Sequence, residues 1–172
     1  MASEPALYLL CGLPFSGKST LAAELSSRLP AALVSLDAIN AERGLDGGQG
    51  IAEEEWARTH EIARGRTAAL LDGGHSVVDD TFCWRSLRDA FRAIATARGL
   101  ATRVVFVDPP FEEIARRRRE NDRARRRAPI DDAVFARVVA SFEPPEEDET
   151  AGEDRPAAAL GFAFPGEAEV GS

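Results

Sequence analysis

The segment Gly12-Leu13-Pro14-Phe15-Ser16-Gly17-Lys18-Ser19 has the spacing G-x-x-x-x-G-K-[ST], a set of residue types able to hold the phosphates of a nucleotide. Phosphates carry dense negative charge. Successive backbone N–H groups, the dipole of a helix N-terminus and the Lys18 ammonium can meet that charge together. Glycine lets the backbone turn and approach closely. The cradle for ATP is expected to involve Gly12, Pro14, Phe15, Ser16, Gly17, Lys18, Ser19 and Thr20. The Ser19 hydroxyl is expected on a Mg2+ ion that bridges the terminal phosphates. The motif specifies nucleotide binding only, so kinase, GTPase and ATPase must be separated by the remaining residues.

Three carboxylates could extend the chemistry. Phosphoryl transfer to a hydroxyl needs a group to accept or orient its proton, and Asp37, at the end of a short apolar run, is the candidate base. The same residue type also suits a helix N-cap. Asp79 and Asp80 close another apolar run, where a buried charge is costly and is retained for a metal, a water shell or a partner. Strand alternation sends them to opposite sides. Asp80, the outer one, is expected to face the crevice beside the metal water or a substrate hydroxyl, and a structural bond to the loop is equally open for Asp79. Arginines between Arg116 and Arg127 could close over ATP and neutralise developing charge, although a solvated helix face explains several of them. Trp56 and His60, at i and i+4, are expected to be neighbours on one helical face, as packing residues or as a pocket wall beside Asp37. Trp84 could wall the same crevice.

Regular elements must position these groups. Ala6–Cys11 reads as a buried parallel strand, followed by a helix over Lys18–Arg28 that Pro30 closes. A second strand is expected over Ala32–Leu36, and the glycines between Gly44 and Gly50 mark a loop. A long helical stretch follows over Ile51–Leu71, then a third strand over Ser76–Asp80. A helix over Trp84–Ala97 stops at Gly99, and the fourth strand is expected over Thr102–Asp108. Helices over Phe111–Asn121 and Asp131–Phe142 flank the arginine-rich segment. From Glu143 the composition is that of an acidic, Pro/Gly/Ala-rich tail, with a possible edge strand over Ala157–Phe164. The expected organisation is a kinase domain over residues 1–145, with a lid near 116–130, and a tail over 146–172.

Strands alternating with helices imply an α/β fold, a parallel sheet with helices on both faces. Ligands in such sheets bind beyond the carboxyl ends of the strands. The glycine loop, Asp37, Asp80 and Asp108 all fall there.

At 172 residues and 44% hydrophobic composition, the chain can bury one sizeable core but not two. A net charge of −8 argues against gripping a duplex by its phosphates. Cys11 and Cys83 are too few for a disulfide framework and lack zinc-ligand spacing, which fits a reducing cytoplasm. The N-terminal apolar run lacks a basic leader and flows into the glycine motif, so no signal peptide is read there. No apolar run is long enough to span a bilayer.

The segments GLPFSGKSTLA, SLDAIN, SVVDDTFCWRSLRD and VFVDPPFEEIARRRREND together resemble the small P-loop kinases of the polynucleotide kinase and zeta-toxin type, including chloramphenicol phosphotransferase and related bacterial AAA-type kinases. The resemblance covers about residues 6–145. It implies a five-stranded, adenylate-kinase-like core, Lys18 and Ser19 in the phosphate loop, Asp37 as base, and lid arginines among Arg117, Arg119 and Arg123. Asp80 matches the acidic end of the third strand in this group, and FEPPEEDE the C-terminal pattern. Polynucleotide kinases of this type tend to carry arginine three residues after the base. Asn40 stands there in this chain, which weakens a nucleic-acid 5′-end as acceptor and suits an uncharged small molecule, such as an antibiotic or a metabolite. No guanine-reading N-K-x-D accompanies the loop. Two further expectations stand beside the small-molecule kinase: a nucleic-acid 5′-hydroxyl or nucleotide-sugar kinase, and an ATP-dependent switch without transfer chemistry.

Overall fold

The computed structural model describes residues 4–45 and 50–150. Its elements run β1 (Ala6–Cys11), α1 (Lys18–Arg28), β2 (Ala32–Ser35), α2 (Leu36–Glu42), α3 (Glu53–Leu71), β3 (Ser76–Asp79), α4 (Arg85–Thr96), β4 (Ala101–Phe106), α5 (Phe111–Ala124), α6 (Asp132–Ser141) and α7 (Glu147–Thr150). Among the described residues the sheet has four strands in the order β2-β3-β1-β4, all parallel. The resemblance implied five. The segment expected to add an edge strand, 157–164, lies outside the described residues, as do the remainder of the tail beyond Thr150 and residues 46–49 of the glycine-rich loop.

Alternation along the strands builds the layers. On β1, Leu7, Leu9 and Cys11 join Val78, Val104, Ala63 and Phe91 in a core under α3 and α4. Ala6, Tyr8 and Leu10 join Val77, Val105, Ala22 and Leu25 under α1. Every residue of β1 is buried, as a central strand covered on both faces requires. Each fully buried leucine or valine stabilises the fold by about 1.5–3 kcal/mol relative to exposure. Burial pushes the Cys11 thiol pKa up to about 12, so this cysteine is an inert part of the core. A third, smaller cluster joins Phe15 of the glycine loop to Ile114 of α5 and Phe135 of α6.

Composition read the residues from Glu143 onward as tail, yet those within the described residues are docked on α4. Arg88 and Glu149 form a two-pronged ion pair at 2.6 and 2.9 Å, and both side chains are 0% exposed. Arg88 also donates to the carbonyls of Phe82 and Glu143, and Glu149 accepts from the backbone N–H of Glu146. Arg85 reaches Glu146 and Asp148 from the surface. Removing one member of a fully buried pair leaves the other charge unpaired. Glu149→Gln is therefore expected to cost about 3 kcal/mol, read from the midpoint of urea unfolding. The double change Arg88→Met with Glu149→Leu is expected to recover most of that loss. A single-variant loss below about 1 kcal/mol would show that the pair is solvated.

No helix among the described residues is long and apolar enough to cross a membrane.

Candidate active site

The glycine loop leaves β1 at its carboxyl end and enters α1. A Cβ on Gly12 would lie 2.5 Å from the Val107 carbonyl and 2.9 Å from Ser16 Oγ, so only glycine fits there. Gly17 adopts φ +98 and opens α1 without a side-chain cap. The first N–H groups of α1, from Lys18 onward, therefore face the loop with no intrahelical partner. That arrangement favours an anion.

A cleft of about 370 Å³ lies in front of this loop. Pro14, Lys18, Ser19, Asp37, Asp79, Asp80 and Arg127 line it. Lys18 is only 7% exposed. Burial lowers its pKa, while the negative charges of Asp79 and Asp80 hold against that shift.

Asp37 sits exposed in the first turn of α2. Sequence left open an N-cap role for it, but Ser35 is the cap: its hydroxyl accepts from the Ala38 N–H at 3.3 Å. The Asp37 carboxylate is thus not committed to the helix end.

Both neighbouring aspartates line the cleft, Asp80 as expected, but their partners divide differently from expectation. Asp80, read as the residue facing the metal, makes the loop bond, accepting from the Phe82 N–H at 3.2 Å and from His60 Nε2 at 3.2 Å. Asp79 instead lies beside Ser19, whose hydroxyl acts to lower its pKa, and its Oδ1 is buried without a partner among the described residues. Burial raises the Asp79 pKa, opposed by the Lys18 charge and the Ser19 hydroxyl. An orphaned carboxylate oxygen beside a serine hydroxyl fits the oxygen ligands that Mg2+ takes, so Ser19 and Asp79 match this ion better than Ser19 and Asp80.

His60 explains why Asp80 is occupied. Its Nδ1 lies 3.0 Å from the Trp56 carbonyl, and both of its partners are acceptors, so protons on both ring nitrogens satisfy the pair. Burial alone would lower the His60 pKa, but the Asp80 hydrogen bond and charge outweigh it and the pKa rises. Asp80 is lowered correspondingly, its own burial being outweighed by His60.

The arginines are placed by a helix that runs on to Ala124, through much of the segment expected as a lid. Arg117 donates to the Ser16 carbonyl at 2.7 Å and pairs with Glu113, so its guanidinium lies on the phosphate loop. Arg119 and Arg123 are exposed and do not line the cleft. Arg127, which the sequence reading did not single out, does; its guanidinium stacks over the Phe15 ring at 4.7 Å. Trp56 lines the cleft. Trp84, expected there too, is 47% exposed and outside it, as is the exposed Asp108.

Residues 7–145 match the AAA domain family AAA_33. The chain belongs to that family. No curated protein matches it. This AAA domain shares its fold with solved P-loop proteins at low sequence identity. Kti12 from Chaetomium thermophilum, in complex with ADP-AlF3, superposes with a TM-score of 0.67 at 20% identity over 92% of this chain and 95% of that one. A gluconokinase from Sinorhizobium meliloti 1021 gives 0.63 at 18% identity, over 86% and 81%. The APS kinase CysC of Mycobacterium tuberculosis, in complex with AMPPNP and APS, gives 0.58 at 22% identity, over 71% and 73%.

Proposed function

We propose that this AAA domain is an ATP-dependent phosphotransferase that moves the γ-phosphoryl group to a hydroxyl of a small molecule in the cytoplasm. One observation carries the reading: Lys18, Ser19, Asp79 and Asp37 line a single cleft at the mouth of the phosphate loop. A nucleotide switch needs the first three. An exposed carboxylate on the same cleft, Asp37, is what an alcohol acceptor requires.

In this reading the loop N–H groups and Lys18 hold the triphosphate, with Arg117 and Arg127 as the nearest further cations. Ser19 and Asp79 would hold Mg2+, which supplies charge neutralisation on the terminal phosphates when bound. Asp37 accepts the hydroxyl proton as the alcohol oxygen forms its bond to the γ-phosphorus and the bond to the β-phosphate oxygen breaks. ADP leaves with that oxygen. Asp80 acts through position, by fixing His60 and the turn to Phe82.

Incubation of the full chain with Mg2+, ATP and a broad hydroxyl-bearing library, with products read by mass spectrometry, tests the proposal. A phosphate ester of a small molecule is expected, with ADP formed in equal amount. ATP consumption that leaves every library member unmodified would overturn it.

A further inference from the structure

Away from the phosphate loop the cleft changes character. α6 presents two apolar faces: Phe135 and Val139 pack toward Phe15 and Ile114, while Val134 and Val138, at i and i+4, line the cleft. Trp56 and Leu45 also line it, contributed by the α2 and α3 side. None of these four belongs to the three apolar clusters. Half-buried apolar surface beside a carboxylate suits a ligand with an apolar part.

The charges on the cleft restrict that ligand further. Its carboxylates are Asp37, Asp79 and Asp80, and among the described residues its only cations are Lys18 and Arg127, both beside the phosphate loop. Arg43, one turn beyond Asn40, is tied to Glu55 and donates to Thr59 Oγ1 at 2.7 Å. Thr59 in turn donates to Asn40 Oδ1 at 2.5 Å. Asn40, 2% exposed and on the cleft wall, therefore offers a neutral amide where an anionic ligand would need a cation. An anionic acceptor body would face carboxylates without a compensating charge.

We propose that the acceptor is an uncharged alcohol with an apolar body, its hydroxyl at Asp37 and its body between Trp56 and the Val134/Val138 face of α6. This rests on the phosphotransferase reading above, and it makes Trp56, Val134 and Val138 the residues that determine specificity.

The test compares three acceptor groups with the full chain and MgATP: 3-phenyl-1-propanol and 1-phenyl-1,2-ethanediol; glycerol and sorbitol; gluconate and a 5′-hydroxyl oligonucleotide. The aryl alcohols are expected to show kcat/KM at least about tenfold above the other two groups. Val134→Thr and Val138→Thr keep the branched shape while adding a hydroxyl. Each is expected to lower kcat/KM for the aryl alcohols about tenfold, mainly through KM, with the MgATP dissociation constant unchanged. Trp56→Ser, on α3, gives the same expectation should an α6 variant fail to fold. A highest kcat/KM on polar or anionic acceptors, or an aryl preference untouched by all three substitutions, would overturn the inference and leave the phosphotransferase reading standing. Absence of Lys18-dependent transfer to every compound would bring down that reading and the inference with it.

Discussion

Lys18→Ala is expected to lower kcat/KM for ATP by about 10⁴-fold, the largest loss of any single substitution in this chain. Two effects combine. A charge-assisted hydrogen bond to phosphate contributes about 1.5–3 kcal/mol of binding, and a preorganised donor at developing charge contributes about 10²–10³-fold in kcat. Lys18 is suited to both because it is buried beside the loop, where water screens it least. The same burial lowers its pKa, so the empty site carries a cost that a bound triphosphate relieves. The substitution removes a desolvated ammonium but also the charge that offsets the buried Asp79, so the two effects oppose each other and the urea midpoint is expected to stay close to that of the parent. Lys18→Arg is not expected to rescue, because a planar guanidinium does not reproduce a compact ammonium at a buried position. Calorimetry with MgATP and steady-state kinetics on the same preparation check the expectation. An affinity within about twofold of the parent would place the triphosphate elsewhere.

How far the sequence could reach depended on whether the deciding geometry was local. The strands, the helices and the phosphate loop follow from patterns a few residues long: Ala6–Cys11 and Lys18–Arg28 stand as expected, and the bounds of the other expected elements differ by one to three residues. α2 is different: the run that read as a strand through Leu36 turns into a helix at that residue, because Ser35 caps it and Leu36 and Ile39 then share one buried face. The choice between Asp79 and Asp80 was not local. Alternation said that they point apart, but which side belongs to α1 is fixed by Val77 joining the α1 cluster and Val78 the α3/α4 cluster. Asp79 follows Val77 toward Ser19, and Asp80 follows Val78 toward His60 on α3.

The arginines show both cases. On α5 the buried Ile114 and Asn121 mark the inward stripe, and Arg117, three residues after one and four before the other, falls on it. Arg119 and Arg123 fall on the opposite side. Once Ile114 is inward, helical spacing alone makes this distinction. Spacing does not place Arg127, because its position depends on how the chain leaves the left-handed Arg125 at the end of α5. The Arg88–Glu149 pair joins residues 61 apart, and an acidic, proline-bearing segment gives no local sign that one of its glutamates will be fully buried.

Asp37→Asn separates transfer chemistry from nucleotide binding. It is expected to lower kcat by about 10³-fold, the midrange for removing a general base, while the MgATP dissociation constant stays within about threefold. The structure makes the change conservative: Asp37 is exposed, Ser35 caps the helix, and asparagine keeps the shape, so stability should move by no more than about 0.5 kcal/mol. Asp79→Asn supplies the contrast. Asp79 faces Ser19 with an unpartnered oxygen, so its substitution should raise the Mg2+ concentration needed for half-maximal rate, whereas Asp37→Asn should lower the rate at every Mg2+ concentration alike. A protein that only switches on nucleotide binding would respond to Asp79→Asn and ignore Asp37→Asn. If both variants shift the metal requirement and neither lowers the rate at saturating Mg2+, Asp37 belongs to the nucleotide side of the cleft and the alcohol must be activated by another group.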